Sequence, residues 1–109
     1  MYVVGRQDLS IEQQGVQNGH AAINFIFEHF NVAKKWNEES NYLIYLSVDD
    51  ELKLQKLLQK AEFKGIKTTS FYEPDINNEL TAVAFEPSTE TKKLVSGLPL
   101  MRKEVSLCL

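Results

Sequence analysis

Gln17-Asn18-Gly19-His20-Ala21-Ala22 is the stretch on which the reading of the fold turns. It lies inside a segment, Ile11 to Phe30, whose apolar residues recur at helical spacing. At about 100° per residue, Ile11, Gly15, Val16, Gly19, Ala22, Ile23, Ile26, Phe27 and Phe30 share one arc, which is expected to pack against a sheet. Glycine costs a helix roughly 1 kcal/mol relative to alanine. Gly15 and Gly19 therefore predict a close approach of the helix backbone to that sheet. Gln13, Gln17, His20 and Asn24 form a narrower polar stripe at the edge of the arc, stacked at three- and four-residue spacing. Such a row is either the wall of a binding site or a rim of satisfied hydrogen bonds. The pattern alone leans slightly to the rim.

Outward from this helix the elements follow in order. Tyr2 to Gly5 reads as a short buried strand, and Ser10 with Gln13 has the spacing of a capping box. That gives Gln13 a purely structural role. Val32 to Asn41 reads as a polar connection holding Trp36, which is expected to cover a core edge. Tyr42 to Val48 is apolar at nearly every position, as in a strand covered on both faces. Asp49 is expected to cap a second helix, with Leu54, Leu57, Leu58 and Ala61 inside and Gly65 as its stop. Lys56, Lys60 and Lys64 read as a solvated face. Lys67 to Tyr72 and Leu80 to Phe85 are strands joined by the loop Glu73 to Glu79, a length that suits a hairpin. A short helix starts at Pro87-Ser88, and Leu98-Pro99-Leu100-Met101 is expected to dock on the domain.

The order β-α-β-α-β-β-α predicts an α/β fold: a single three-layer α/β/α domain with a four-stranded mixed sheet, spanning residues 1–104. Residues 105–109 read as a disordered C-terminal tail. Right-handed crossovers make the first three strands parallel, and the fourth runs antiparallel. Ligands in such sheets sit beyond the carboxyl ends of the parallel strands. The first turn of the long helix therefore shares one end of the sheet with Glu73 and Asp75.

Composition narrows the function classes. With 109 residues and a net charge of −3, one soluble domain is expected, without indiscriminate affinity for nucleic acid. One cysteine, Cys108, cannot form an internal disulfide, which fits a reducing cytoplasm. No stretch approaches the ~20 apolar residues of a membrane span. His20 and His29 have no metal-site spacing, and glycine-rich phosphate loops and nucleophile elbows are absent. What remains is a polar helix row facing an acidic loop, with Thr81 at the start of the last strand. That arrangement supports hydrolysis by an activated water, and equally a site that only binds.

Arg6-Gln7-Asp8-Leu9 followed by Val16-Gln17-Asn18-Gly19-His20-Ala21-Ala22 resembles the R-x-D-L … A-Q-x-x-H-A-A opening of the archaeal and eukaryotic type of peptidyl-tRNA hydrolase. An acidic loop followed by Leu80-Thr81-Ala82-Val83-Ala84-Phe85 is similar to that family's acidic loop and T-x-L-x-I-G-P strand. The resemblance runs over roughly residues 2 to 101. Trp36, Ser40 to Leu43, Glu73 to Asp75 and Leu98 to Leu100 resemble a short bacterial and phage branch. The resemblance implies cleavage, without a cofactor, of the ester joining a peptide to the 3′ ribose of tRNA. It implies His20, Asp75, Glu73 and Thr81 as catalytic candidates and Gln13, Gln17, Asn78 and Arg6 as substrate-binding candidates. Of the two acids Asp75 is preferred, because a proline precedes it and its side chain is short. Lys92, Lys93, Arg102 and Lys103 are the candidate tRNA contacts, and a homodimer is compatible with the pattern. Gln13 stands where the family carries a lysine, and the family's G-R-T-Q run is absent. The alternative reading is a catalytically degenerate binding module.

Overall fold

The computed structural model describes residues 1–104; the expected tail at 105–109 lies outside them. Strands β1 (Tyr2–Arg6), β2 (Ile44–Val48), β3 (Thr68–Glu73) and β4 (Glu79–Phe85) form one sheet in the order β2-β1-β4-β3. β1 pairs parallel with β2, and β4 pairs antiparallel with both β1 and β3. The first three strands thus run one way and the fourth returns, as the crossover rule requires.

Helices α1 (Ile11–Glu28) and α2 (Phe30–Glu38) carry one layer. Their core joins Ala21, Ala22, Phe25 and Ala33 to Met1, Val3, Ala82 and Ala84 of the sheet. Helices α3 (Glu51–Phe63) and α4 (Thr89–Leu94) lie on the other side. There Leu54, Leu57, Leu58 and Ala61 pack on Val4, Leu46, Leu80, Val83 and Phe85, with Val95 just beyond α4. The expected α/β class, mixed sheet and α3 stripe all hold.

Three local expectations are corrected. Val32 to Glu38, read as part of a polar connection, belong to α2, and Phe30, read as the end of the first helix, opens it; Ala33 is buried and the Trp36 indole N–H donates to the Tyr42 carbonyl at 2.7 Å. The cap of α3 is Asp50, whose carboxylate accepts from the Lys53 amide, while Asp49 instead accepts from the Gln7 side chain. The third correction concerns the packing face of α1. Its buried residues are Gln14, Gln17, Asn18, Ala21, Ala22 and Phe25. Val16, Ile23, Phe27 and Phe30 are exposed, and a Cβ on Gly15 or Gly19 would meet nothing within 4 Å. The small residues that admit close approach stand on the sheet, at Gly5, Ala82 and Ala84, so the helix can offer it larger side chains.

Segment 98–102 closes the edge of β2. The Ser47 amide donates to the Pro99 carbonyl, the Met101 amide donates to the Tyr45 carbonyl, and Leu100 bridges Leu46. It then reaches α1, where the Asn18 side-chain amide donates to Met101 Sδ at 3.4 Å and the Gln14 side-chain amide donates to the Arg102 carbonyl at 2.9 Å. The expected docking of Leu98 to Met101 is therefore observed.

Candidate active site

The carboxyl ends of β1 and β3, the start of β4 and the first turn of α1 meet at one end of the sheet. Ser10 opens α1 with a complete capping box: its hydroxyl accepts from the Gln13 amide at 3.1 Å, and the Gln13 side-chain oxygen accepts from the Ser10 amide at 3.2 Å. Gln13 is therefore occupied with the cap.

One turn on, Gln17 is buried against the sheet. The Thr81 hydroxyl donates to Gln17 Oε1 at 2.7 Å and lies 3.3 Å from the Phe71 carbonyl. Thr81 reaches α1 because of a bulge. Phe71 pairs with Ala82 and Tyr72 pairs with Leu80, so Thr81 has no cross-strand partner. The extra residue breaks the alternation: Leu80 joins the α3 core, while both Thr81 and Ala82 turn to α1. Thr81 is fully buried, so its geometry fits it to position Gln17.

His20 is exposed on the same flank, its ring stacked on Phe71 with centroids 4.5 Å apart and planes 9° from parallel. The structure thus brings Gln17, His20, Thr81 and Phe71 together.

The acids lie just beyond. Glu73 ends β3, and its carboxylate caps the one-turn 3-10 helix Pro74–Ile76 by accepting from the Asp75 amide at 3.4 Å. Asp75 is exposed in that turn, and Asn78 is exposed with a left-handed backbone, φ 57°. Glu73 stands opposite Glu79 in the β3–β4 register. Glu79 in turn accepts from Arg6 at 2.8 Å, and Arg6 also pairs with Asp8 at 2.9 Å and donates to the Leu80 carbonyl at 3.1 Å. The Asp8 hydrogen bond, and after it Glu79, push the Arg6 pKa up against the opposing effect of burial. Arg6 is buried and holds the ends of β1 and β4 together.

Sequence reasoning missed Glu79, the first residue of β4, whose acidic side chain at the end of the loop was the available signal, and Gln14, hidden by the wrong helix face. Arg102 lies at this end and donates to Gln7 Oε1 at 3.1 Å. Lys103 and Lys93 are exposed. Lys92 instead lines a cleft of about 290 Å³ with Met1, Tyr2 and Ser88, at the opposite end of β1. No helix among the described residues is long and apolar enough to cross a membrane.

No curated protein sequence matches the chain. The sequence profile of the family described as peptidyl-tRNA hydrolase PTH2 matches residues 1–101, so it spans every element of the fold, and Arg102 and Lys103 lie just beyond it. The chain belongs to that peptidyl-tRNA hydrolase family.

Proposed function

We propose that this chain hydrolyses the ester between a peptide and the 3′ ribose of tRNA, in the cytoplasm, as a member of the short bacterial and phage branch of its family. The observation that carries the reading is the bond from Thr81 to Gln17 at 2.7 Å, which joins the strand threonine and the helix motif of the resemblance.

Water attacks the ester carbonyl carbon while a base removes its proton. The tetrahedral intermediate then collapses, and the ribose 3′ oxygen leaves with a proton. Asp75 is the base in this reading: its carboxylate has no hydrogen bond among the described residues, whereas Glu73 is used to cap the turn that presents it. His20, held flat on Phe71, is in this reading the group that passes a proton to the leaving oxygen. Thr81 fixes Gln17, and Gln17 and Asn78 are the amides available to the developing oxyanion. Arg6 keeps β1 and β4 in place beneath them. Arg102 and Lys103 at this end neutralise tRNA phosphates, with Lys92 and Lys93 further along the molecule.

A second reading has one observation in its favour. Gln13 occupies the family lysine's place, and its side chain is consumed by the helix cap. A protein of this kind would bind an acylated tRNA without cleaving it.

Release of peptide from purified peptidyl-tRNA, measured beside a family member that carries the lysine, tests the proposal. Turnover by this chain supports hydrolysis. Tight binding without turnover leaves the binding module.

A further inference from the structure

The two edges of the sheet differ. Segment 98–102 bonds to the outer edge of β2, while the order β2-β1-β4-β3 puts β3 at the other edge. In an antiparallel pair, alternate residues point their N–H and C=O at the neighbouring strand. The Lys67 carbonyl accepts from the Glu86 amide at 3.0 Å, the Phe71 carbonyl from the Thr81 hydroxyl at 3.3 Å and the Glu73 carbonyl from the Asn78 amide at 3.0 Å. These odd-numbered residues therefore face β4, and the backbone groups of Thr68, Ser70 and Tyr72 face outward. The Thr68 carbonyl is taken by His29 Nε2–H at 3.0 Å. Among the described residues, nothing bonds to the outward groups of Ser70 and Tyr72. Resting on the proposed function, in which a peptide ester reaches this end of the sheet, we propose that the free edge of β3 takes the substrate's peptide as an added strand, parallel to β3 and read through its main chain.

Chain direction fixes the orientation. β3 ends at Glu73 and leads into the turn that presents Asp75. The ester is at the carboxyl end of the peptide, so the peptide arrives with that end at Glu73 and runs the same way as β3. Parallel pairing uses evenly spaced bonds to alternate residues, and Ser70 and Tyr72 each supply a donor and an acceptor. They stand roughly 7 Å apart along the strand, the length of the last residues before the ester. Aromatic rings flank the edge: Phe71, stacked with His20, on the α1 side and Tyr72, 52% exposed, on the other. Main-chain pairing supplies affinity without dictating side chains, which suits a substrate defined by its ester and not by its sequence.

The composition of β3 fits a guest strand. Natural edges are blunted by lysine, proline or short length. Thr68-Thr69-Ser70-Phe71-Tyr72 holds neither lysine nor proline, and Glu73 is the first charge. An edge without cations does not suit RNA phosphates. A second copy of the chain would need a longer contact than Ser70 to Tyr72, because His29 already occupies the Thr68 carbonyl.

The test uses the full chain and a non-cleavable ligand, so it reads binding whether or not the chain hydrolyses esters. The ligand is an acceptor-stem RNA hairpin that carries a peptide on its 3′ ribose through an amide. Affinity is expected to rise roughly tenfold or more as the peptide grows from one residue to three. N-methylation of successive peptide nitrogens is expected to alternate in effect, one position weakening binding roughly tenfold and the next leaving it unchanged. Amide exchange at Ser70 and Tyr72 is expected to slow on binding, and at Thr69 and Phe71, already inside the sheet, to stay as it was. Ser70→Pro removes an outward N–H, which an edge strand tolerates; it is expected to keep the fold and reduce the dependence on peptide length. No binding, affinity indifferent to peptide length, equal effects at both N-methyl positions, or unchanged exchange at Ser70 and Tyr72 overturns the proposal. So does a folded Ser70→Pro that binds like wild type, or protection of those amides in the free chain by self-pairing. Absence of turnover on peptidyl-tRNA, with these binding results intact, sinks the hydrolase reading alone.

Discussion

The Thr81 hydroxyl donates to Gln17 Oε1 at 2.7 Å across the boundary between sheet and helix, and a β-bulge is what brings it there. A regular β4 would turn Thr81 toward α3. Thr81→Val keeps the shape and removes the donor, leaving a buried amide oxygen unpaired. The expected loss is about 1–3 kcal/mol of stability, read by thermal unfolding, with turnover falling as Gln17 loses its orientation. Thr81→Ser is expected to restore most of both. A valine variant with unchanged turnover would show that Gln17 is held by other means.

Gly5 and Gly19 are expected to respond in opposite ways to alanine. A Cβ on Gly5 would lie 2.5 Å from Asn18 Oδ1, so Gly5→Ala must displace α1 or Asn18 and is expected to cost about 1–3 kcal/mol. A Cβ on Gly19 meets nothing, so Gly19→Ala is expected to stabilise the chain by up to about 1 kcal/mol through helix propensity. Melting temperatures of the pair decide. A stabilised Gly5→Ala would mean that Asn18 moves aside freely.

These glycines show what was legible in the sequence and what was not. Element order, the strand directions of the mixed sheet, the Ser10–Gln13 box, the α3 stripe and the Gly65 stop all follow from local rules that tertiary contacts do not overrule. The α1 face does not. Both sides of that helix are apolar, and periodicity weighs them alike. The side that packs carries Gln14, Gln17 and Asn18, whose side chains find partners in the Leu9 carbonyl just before the helix and, from distant parts of the chain, in the Arg102 carbonyl, Thr81 and Met101. No pattern within α1 contains those partners. The same holds for Thr81: its residue type marked it, but the bulge that aims it is a property of the β3–β4 register.

Asp75→Asn is expected to lower turnover on peptidyl-tRNA by roughly 10²–10⁴-fold if Asp75 is the base. Glu73→Gln is expected to have a smaller effect, through loosening of the turn it caps. Single-turnover rates at saturating substrate separate the chemical step from binding. The reverse ranking would move the base to Glu73, beside Glu79 in register.

Stability of the chain beginning at Met1 is expected to rise with pH between about 6 and 8. Burial pushes the Met1 amine pKa down to about 6, from its ordinary value near 8. Between those values the unfolded chain binds more protons than the folded one, so raising the pH favours folding. Below 6 both states are protonated and the cost is fully present; above 8 it vanishes. Nα-acetylation removes the titrating group, so the difference in midpoint between acetylated and free chains is expected to change with pH across this window. A constant difference would show that the amine, which donates to the Tyr42 carbonyl at 2.7 Å, stays solvated.

The strap at 98–102 ties the order of synthesis to the order of assembly. β2 is made early, yet among the described residues the backbone groups of its outer edge find their partners in Pro99 and Met101. Until the ribosome has delivered those residues, a nascent chain presents an open strand edge, the usual template for mispairing with a neighbour. The same strap satisfies Gln14 in the first turn of α1. Edge protection and the seating of the helix that carries the candidate site are thus deferred to one late event. A chain stalled shortly before Pro99 would hold most of its core while remaining both adhesive and unfinished at its working end.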